Sequence, residues 1–381
     1  MADPISSLVV DAAIAIGRLD GRLVGHPLAK AWRHRARIEA AKRQSAADGH
    51  LVDIPRLMAE LHGLRLRPYS GGELADRGAD VAGRVHAVRV MAYSSGDVPD
   101  TEIRVMAEAT RALMHDDKDG ALLSISRAFF RWIEDGGDRL AIRAVLPEVL
   151  QRRKITMSPL PCLSCARASS TEYLHSGPIG QREFFESLRK EAESGWKLLD
   201  QMIQVWQRAR ASVPASRSTS RLGAVVDLLL ASALANPSQM AQALGMSRQG
   251  IAKLLRQLED AKIVVEVTNR RRLQLYGLFD QVSVRGQTRG PKREDWRGSR
   301  GRPSQKGQQR PPTLSPGDVE ALHYPPTPAK DDPPHLDDAA LDNLFAEIDL
   351  SIARISRVLA DRVAPASAKR NETNLADEQG S

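Results

Sequence analysis

Apolar residues recur along the first two hundred positions at spacings of three and four. Ile5, Val9, Ala12, Ile16, Leu19 and Leu23 run 4-3-4-3-4, a helical stripe with a near-heptad period. Gly25-His26-Pro27 ends that element. Ala29 to Ala47, rich in Ala, Arg and Lys around Trp32 and Ile38, has the composition of a second helix. Asp53 before Ile54-Pro55, with Leu57, Met58 and Leu61 following, predicts a helix with Asp53 as N-cap and proline in its first turn. After a break at Tyr69-Ser70-Gly71-Gly72, further helices are predicted over 73–93, 99–114, 120–135 and 138–151. Pro159 to Pro178 reads as irregular. Gln181 to Ala211 reads as one long helix carrying Phe184, Phe185, Leu188, Trp196, Leu199, Ile203 and Trp206. Four of the five tryptophans (Trp32, Trp132, Trp196, Trp206) fall in this part and are expected to mark its core.

The pattern changes at Ser212 to Ser220, SVPASRSTS, which has linker composition. Beyond it, residues 237–256 read PSQMAQALGMSRQGIAKLLR. This is the pattern of a helix-turn-helix. Ser238 can cap the first helix, Ala241 is small where two helices must approach, and Leu244 packs inward. Gly245 supplies the positive φ of a tight turn, and Met246 covers that turn. Ser247 can cap the second helix. Ile251, Leu254, Leu255 and Leu258 form that helix's apolar face. Its opposite face offers Ser247, Arg248, Gln249, Ala252, Lys253 and Arg256. Arg and Gln side chains can bind guanine and adenine edges bidentately, while Lys and Ser suit phosphates. Arg248, Gln249 and Lys253 are the best placed for bases, and Arg256 for a phosphate.

Ile263 to Val267 and Leu273 to Tyr276 read as two strands flanking Thr268-Asn269-Arg270-Arg271-Arg272. That is a hairpin with a basic tip, and it makes the unit resemble a winged helix-turn-helix. Arg270, Arg271 and Arg272 at such a tip suit the minor groove or its phosphates. A winged helix used only for protein contact is the bland alternative. Residues 285–334, with ten prolines and six glycines, are predicted disordered. Leu341, Phe345, Ile348, Ile352, Ile355 and Leu359 predict a last helix near 336–362, again at 4-3-4-3-4. The two stripes can face a core, pair with each other, or form the seam of a homodimer, and core packing is the default. The expected organisation is therefore mainly α. A helical domain over 1–211 leads through a linker at 212–220 to a winged helix-turn-helix over 221–280. A disordered charged linker over 281–334, an amphipathic helix over 335–363 and a tail over 364–381 follow.

Charge sharpens this picture. The chain has 381 residues and a formal net charge of +8. Residues 285–310 hold nine basic residues against two acidic ones, and 311–349 hold nine acidic residues against one lysine. The first block can act as a flexible arm on phosphates or simply as a solubilising linker. The second can compete with DNA for that arm. Aromatics, at 4%, are too few for a protein built on base-stacking platforms. No run of 18 apolar residues predicts a membrane span, and the first residues lack the basic region of a secretory signal. Two cysteines make no disulfide framework and fit a cytoplasmic protein.

Other motifs carry less. Cys162 and Cys165 form a lone CxxC between prolines, with His175 ten residues on, whereas a zinc site needs four ligands. His115-Asp116-Asp117-Lys118-Asp119-Gly120 lacks the ligand spacing of a calcium loop and reads as a solvated turn. No phosphate-binding glycine loop is present. The sequence thus predicts no catalytic residues, no metal and no cofactor.

RLDGRL near the N-terminus, the Trp-x-x-Arg-x-Arg stretch from Trp32 to Arg37, and DGHLVDIPRL from Asp48 to Leu57 precede the helix-turn-helix. In this order, over about residues 1–280, the chain resembles a bacterial family common on plasmids of plant-associated bacteria. That family pairs a helical domain of unknown function with a helix-turn-helix DNA-binding domain. The resemblance implies a DNA-binding regulator and supplies no activity for the helical part. Fic-type AMP-transferases also join a helical domain to a winged helix. Here His26-Pro27 is followed by Leu28, and no Gly-Asn-Gly-Arg exists, so the catalytic part of that family is missing. The expected partner is double-stranded DNA, with no membrane. A plasmid partition or replication protein, and an enzyme that uses the winged helix for docking, are the alternatives.

Overall fold

The computed structural model describes residues 4–64, 66–67, 74–115, 120–170, 177–213, 219–268, 274–288, 339, 341–347 and 349–350. Within them the chain is mainly helical. The helical region runs through α1 (Pro4–Leu23), α2 (Ala29–Ala47), α3 (Ile54–Leu61), α4 (Leu74–Ser95), α5 (Asp100–Met114), α6 (Ala121–Glu134), α7 (Arg139–Arg152) and α8 (Pro178–Ala211). The predicted helices all form, with ends displaced by a few residues. Asp53 has extended backbone at the start of α3 but makes no side-chain cap hydrogen bond. Pro55, in the first turn, removes one of the N–H donors that a cap would use.

The α1 stripe faces the core. Ala12, Ile16, Leu19 and Leu23 are buried, and α1 packs along α8. Gly195 of α8 makes that approach possible. A Cβ there would lie 2.9 Å from Leu19 Cδ2 and 3.1 Å from Trp32 Cζ2, and the Gly195 carbonyl accepts from Trp32 Nε1 at 2.9 Å. Trp32 is fully buried, whereas Trp132, Trp196 and Trp206 are partly buried against the core. α2 is the surprise. Despite its Arg and Lys content it packs against α3, α4, α8 and α9. Its alanines let those neighbours approach on several sides, and its long cations reach out between them.

The second unit begins with α9 (Thr219–Ser232). Its Leu222, Val225, Val226, Leu228, Leu229 and Leu230 are all buried. One polar group lies among them: Asp227, 1% exposed, accepts from Trp206 Nε1 at 2.7 Å and from Arg210 Nε and Nη2 at 2.9 and 2.6 Å. This ties α9 to α8, and one hydrophobic cluster runs through both regions. Then come β1 (Leu234–Ala235), α10 (Pro237–Ala243), α11 (Arg248–Asp260), β2 (Val264–Glu266) and β3 (Tyr276–Leu278). The antiparallel sheet has the order β1-β3-β2, with Leu234 opposite Gly277 and Val265 opposite Gly277 on the other side. The second strand therefore sits later than predicted, and β1, only two residues long, has no sequence signal. The hairpin pairing continues past the ladder, with Val267 N–H donating to Leu275 O at 2.9 Å.

Residues 281–288, which fall at the start of the stretch predicted to be disordered, are structured. A 3-10 turn at Phe279–Gln281 leads into α12 (Val282–Gln287). Val284 is fully buried, and Thr288 Oγ1 donates to Val267 O at 2.7 Å. Arg67 N–H donates to Gln287 O at 2.7 Å, and Arg56 Nη1 donates to Gln287 Oε1 at 3.2 Å. These bonds draw α12 onto α3. The C-terminal helix is present over 341–347 and 349–350. Leu341 and Leu344 are buried, and Phe345 stacks on the buried His34 of α2 at 5.2 Å. Both stripes thus have core partners as far as they are described. The rest of 289–338, the end of that helix and the tail lie outside the described residues. No helix among the described residues is long and apolar enough to cross a membrane.

Candidate nucleic-acid interface

α10, the turn and α11 form two consecutive packed helices. The first is capped by Asn236, not by Ser238. Asn236 Oδ1 accepts from the N–H groups of Ser238 and Gln239 at 2.9 Å each, and Gln239 Oε1 accepts from Asn236 N–H at 3.0 Å. Pro237 at the first helical position places the cap one residue earlier, and that signal was available in the sequence. Gly245 takes φ +59° in the turn. Ser247 caps α11 by accepting from Gly250 N–H at 3.1 Å. Arg221 Nη1, from α9, donates to Leu244 O at 3.0 Å and braces the turn.

α11 divides sharply around its axis. Ile251, Leu254, Leu255 and Leu258 are buried. Ser247, Arg248, Gln249, Lys253 and Arg256 are exposed. At about 100° per residue the positions from Arg248 to Lys253, with Arg256 between them, span roughly 140° of the surface opposite the core. Arg248, Gln249 and Lys253 make no side-chain hydrogen bond or ion pair among the described residues, so their polar heads stand in solvent. The other end of α11 is acidic. Burial and then the neighbouring Glu266 raise the pKa of Glu259, and burial, Glu259 and Glu266 push that of Tyr276 up to about 12. The cationic half of the helix is therefore its N-terminal half, the half that enters the groove in helix-turn-helix docking. Arg270, Arg271 and Arg272 lie outside the described residues, as does the basic arm beyond Thr288.

The CxxC motif resolves into packing. Cys162 and Cys165 are free, buried thiols. Burial pushes the Cys162 pKa up to about 12, and burial followed by Glu191 raises that of Cys165 well above the thiol range. Their turn wraps a carboxylate. Glu191 Oε2 accepts from the N–H groups of Ser164 and Cys165 at 2.8 and 2.9 Å, and Oε1 accepts from Ala166 N–H at 3.0 Å. Cys165 has φ +51°, so successive N–H groups converge into an anion-holding nest. His175 and residues 116–119 lie outside the described residues. His26 Nδ1 accepts from Leu28 N–H at 3.1 Å and shapes the turn between α1 and α2.

Among the polar clusters that sequence reasoning missed is one around Arg143. Arg143, fully buried, donates to both Asp48 carboxylate oxygens at 2.7 and 2.9 Å, and to Ser169 Oγ at 2.6 Å. His86 Nε2 lies 3.2 Å from Asp48, and its Nδ1 lies 3.1 Å from Ser45 Oγ. Burial opposes ionisation of Asp48, but hydrogen bonds from His86 and Arg143 outweigh it and hold the carboxyl well below its usual range. Ser45 is fully buried inside α2, so this Ser-His-Asp line offers no open hydroxyl to a substrate. No protein-family model matches this chain, and a search of curated proteins finds no similar sequence.

Proposed function

We propose that this protein binds double-stranded DNA sequence-specifically and regulates transcription in a bacterial cytoplasm. The observation that carries the reading is the exposed face of α11, with Arg248, Gln249, Lys253 and Arg256 opposite a buried apolar face. Arg248 and Gln249 would read base edges in the major groove, Lys253 would read or position DNA, and Arg256 would hold a phosphate. The exposed hydroxyl of Ser247 keeps a donor for a phosphate while its lone pair caps the helix. The arginines at 270–272 would hold the wing on the backbone or in the minor groove.

The test is selection of bound sequences from random double-stranded DNA by the full chain, followed by affinity measurement for Arg248→Ala. Arg248→Ala should cost about 1–3 kcal/mol on the selected site and relax preference at one base position. A palindrome in the selected set fits a dimeric regulator, whereas tandem repeats fit a partition or replication protein. Absence of any enriched sequence refutes specific recognition.

A further inference from the structure

A cavity of about 750 Å³ opens between the end of α2, the start of α7, the turn at 166–170 and the middle of α8. This is the size of many small-molecule sites. Arg43, Arg139, Arg167 and Lys190 reach it from four separate elements. Two carboxylates also line it, and both are already satisfied. Asp48 is held by Arg143 and His86, and Glu191 sits in its backbone nest. Arg167 pairs with Glu183 at 3.3 Å and Lys190 with Glu186 at 3.1 Å, and both cations remain about half exposed. Arg43 and Arg139 have no carboxylate partner among the described residues. Arg43 is fixed by donating one nitrogen to Cys162 O at 3.2 Å. Ala46, Ala47 and Ala166 provide apolar wall between these cations.

We propose that this cavity binds a small organic dianion, a phosphate monoester with a compact apolar body. Guanidinium groups match phosphate oxygens bidentately, and two arginines without carboxylate partners supply the charge that a dianion needs. The alanine wall gives its body a place to shed water. The inference does not rest on the DNA reading, because it is tested by ligand binding alone.

Isothermal titration of the full chain with phenyl phosphate, inorganic phosphate and phenol tests it. Phenyl phosphate should bind saturably, one per chain, and more tightly than inorganic phosphate, while phenol should not bind. The double variant R43Q/R139Q should weaken phenyl phosphate at least tenfold. R139Q alone, which removes no hydrogen bond or ion pair among the described residues, should weaken it severalfold without changing the thermal midpoint. R104Q, on the exposed face of α5, should leave it unchanged. No saturable binding by about 10 mM, a Kd near the weak limit of specific recognition, overturns the proposal. So does equal binding by R43Q/R139Q, or phenol binding as well as phenyl phosphate.

Discussion

Replacing Glu191 tests the claim that the CxxC turn exists to hold a carboxylate. Glu191 is 4% exposed and accepts three backbone N–H bonds at 2.8, 2.9 and 3.0 Å, with Ser164 Oγ at 3.2 Å as a fourth donor. Glu191→Ala strands three buried donors. Each unsatisfied donor costs about 1–3 kcal/mol, and water entering from the adjacent cavity recovers part of that, so a loss of roughly 3–5 kcal/mol is expected. Glu191→Gln is graded differently. Its carbonyl oxygen can still serve Ser164 and Cys165, but its amide meets the Ala166 N–H donor to donor, for a loss of about 1–2 kcal/mol. Urea denaturation with linear extrapolation reads both. Refutation is equally plain: an Ala variant within about 1 kcal/mol of the parent, or a Gln variant as unstable as Ala.

Further outcomes follow from local geometry. Asn236→Ala should cost about 1 kcal/mol because it dismantles the capping box of α10, while Ser238→Ala, at the exposed second position, should cost nearly nothing. Thermal melts of the two variants distinguish them. His34 is buried against Phe345, and burial, then Arg37, Arg35 and His62, lower its pKa to about 3. Its folded pKa lies below the unfolded value, so the unfolded chain binds the extra proton first. Stability is complete above pH 6.5 and falls toward pH 3 by up to about 1.4 kcal/mol per unit from this group. His34→Phe should flatten that slope in denaturation curves recorded from pH 7 to 4. An unchanged slope would rule out His34 as its source.

Much of this was readable from residue spacing, and the failures share a cause. α1, α8 and α11 are amphipathic, so their buried faces follow from three-four periodicity alone. α2 has no comparable stripe. It is buried through small alanines, one tryptophan and the stems of its cations, which propensity reads as a surface helix. Glu191 could have been found. It falls on the α8 line Phe184, Leu188, Glu191, Gly195, Leu199, Met202, where a lone carboxylate on an apolar face demands buried partners. The partners themselves, three N–H groups, have no side-chain signature. β1 was invisible because two residues carry no period, and its existence depends on the edge that β3 offers.

The opposed charge blocks also acquire a spatial meaning. Sequence reasoning set the acidic stretch 311–349 against the basic arm beside it. The acids that are described have other partners. Asp342 pairs with Lys30 at 2.9 Å, Asp349 with Arg37 at 3.1 Å, and Glu347 accepts from Gln239 Nε2 at 3.1 Å. Two of these complete a basic helix in the fold's interior and the third touches the first helix of the helix-turn-helix. The Lys30 pair is too exposed to add much stability. The better anchor is apolar, with Leu341 and Leu344 buried and Phe345 on His34. The ion pairs then choose the register of a helix that hydrophobic burial holds. A burial-driven contact weakens little with added salt, whereas phosphate contacts by the arm would weaken steeply. The described acids of the C-terminal helix therefore set its register on α2 and α10, while burial of Leu341 and Leu344 supplies the hold.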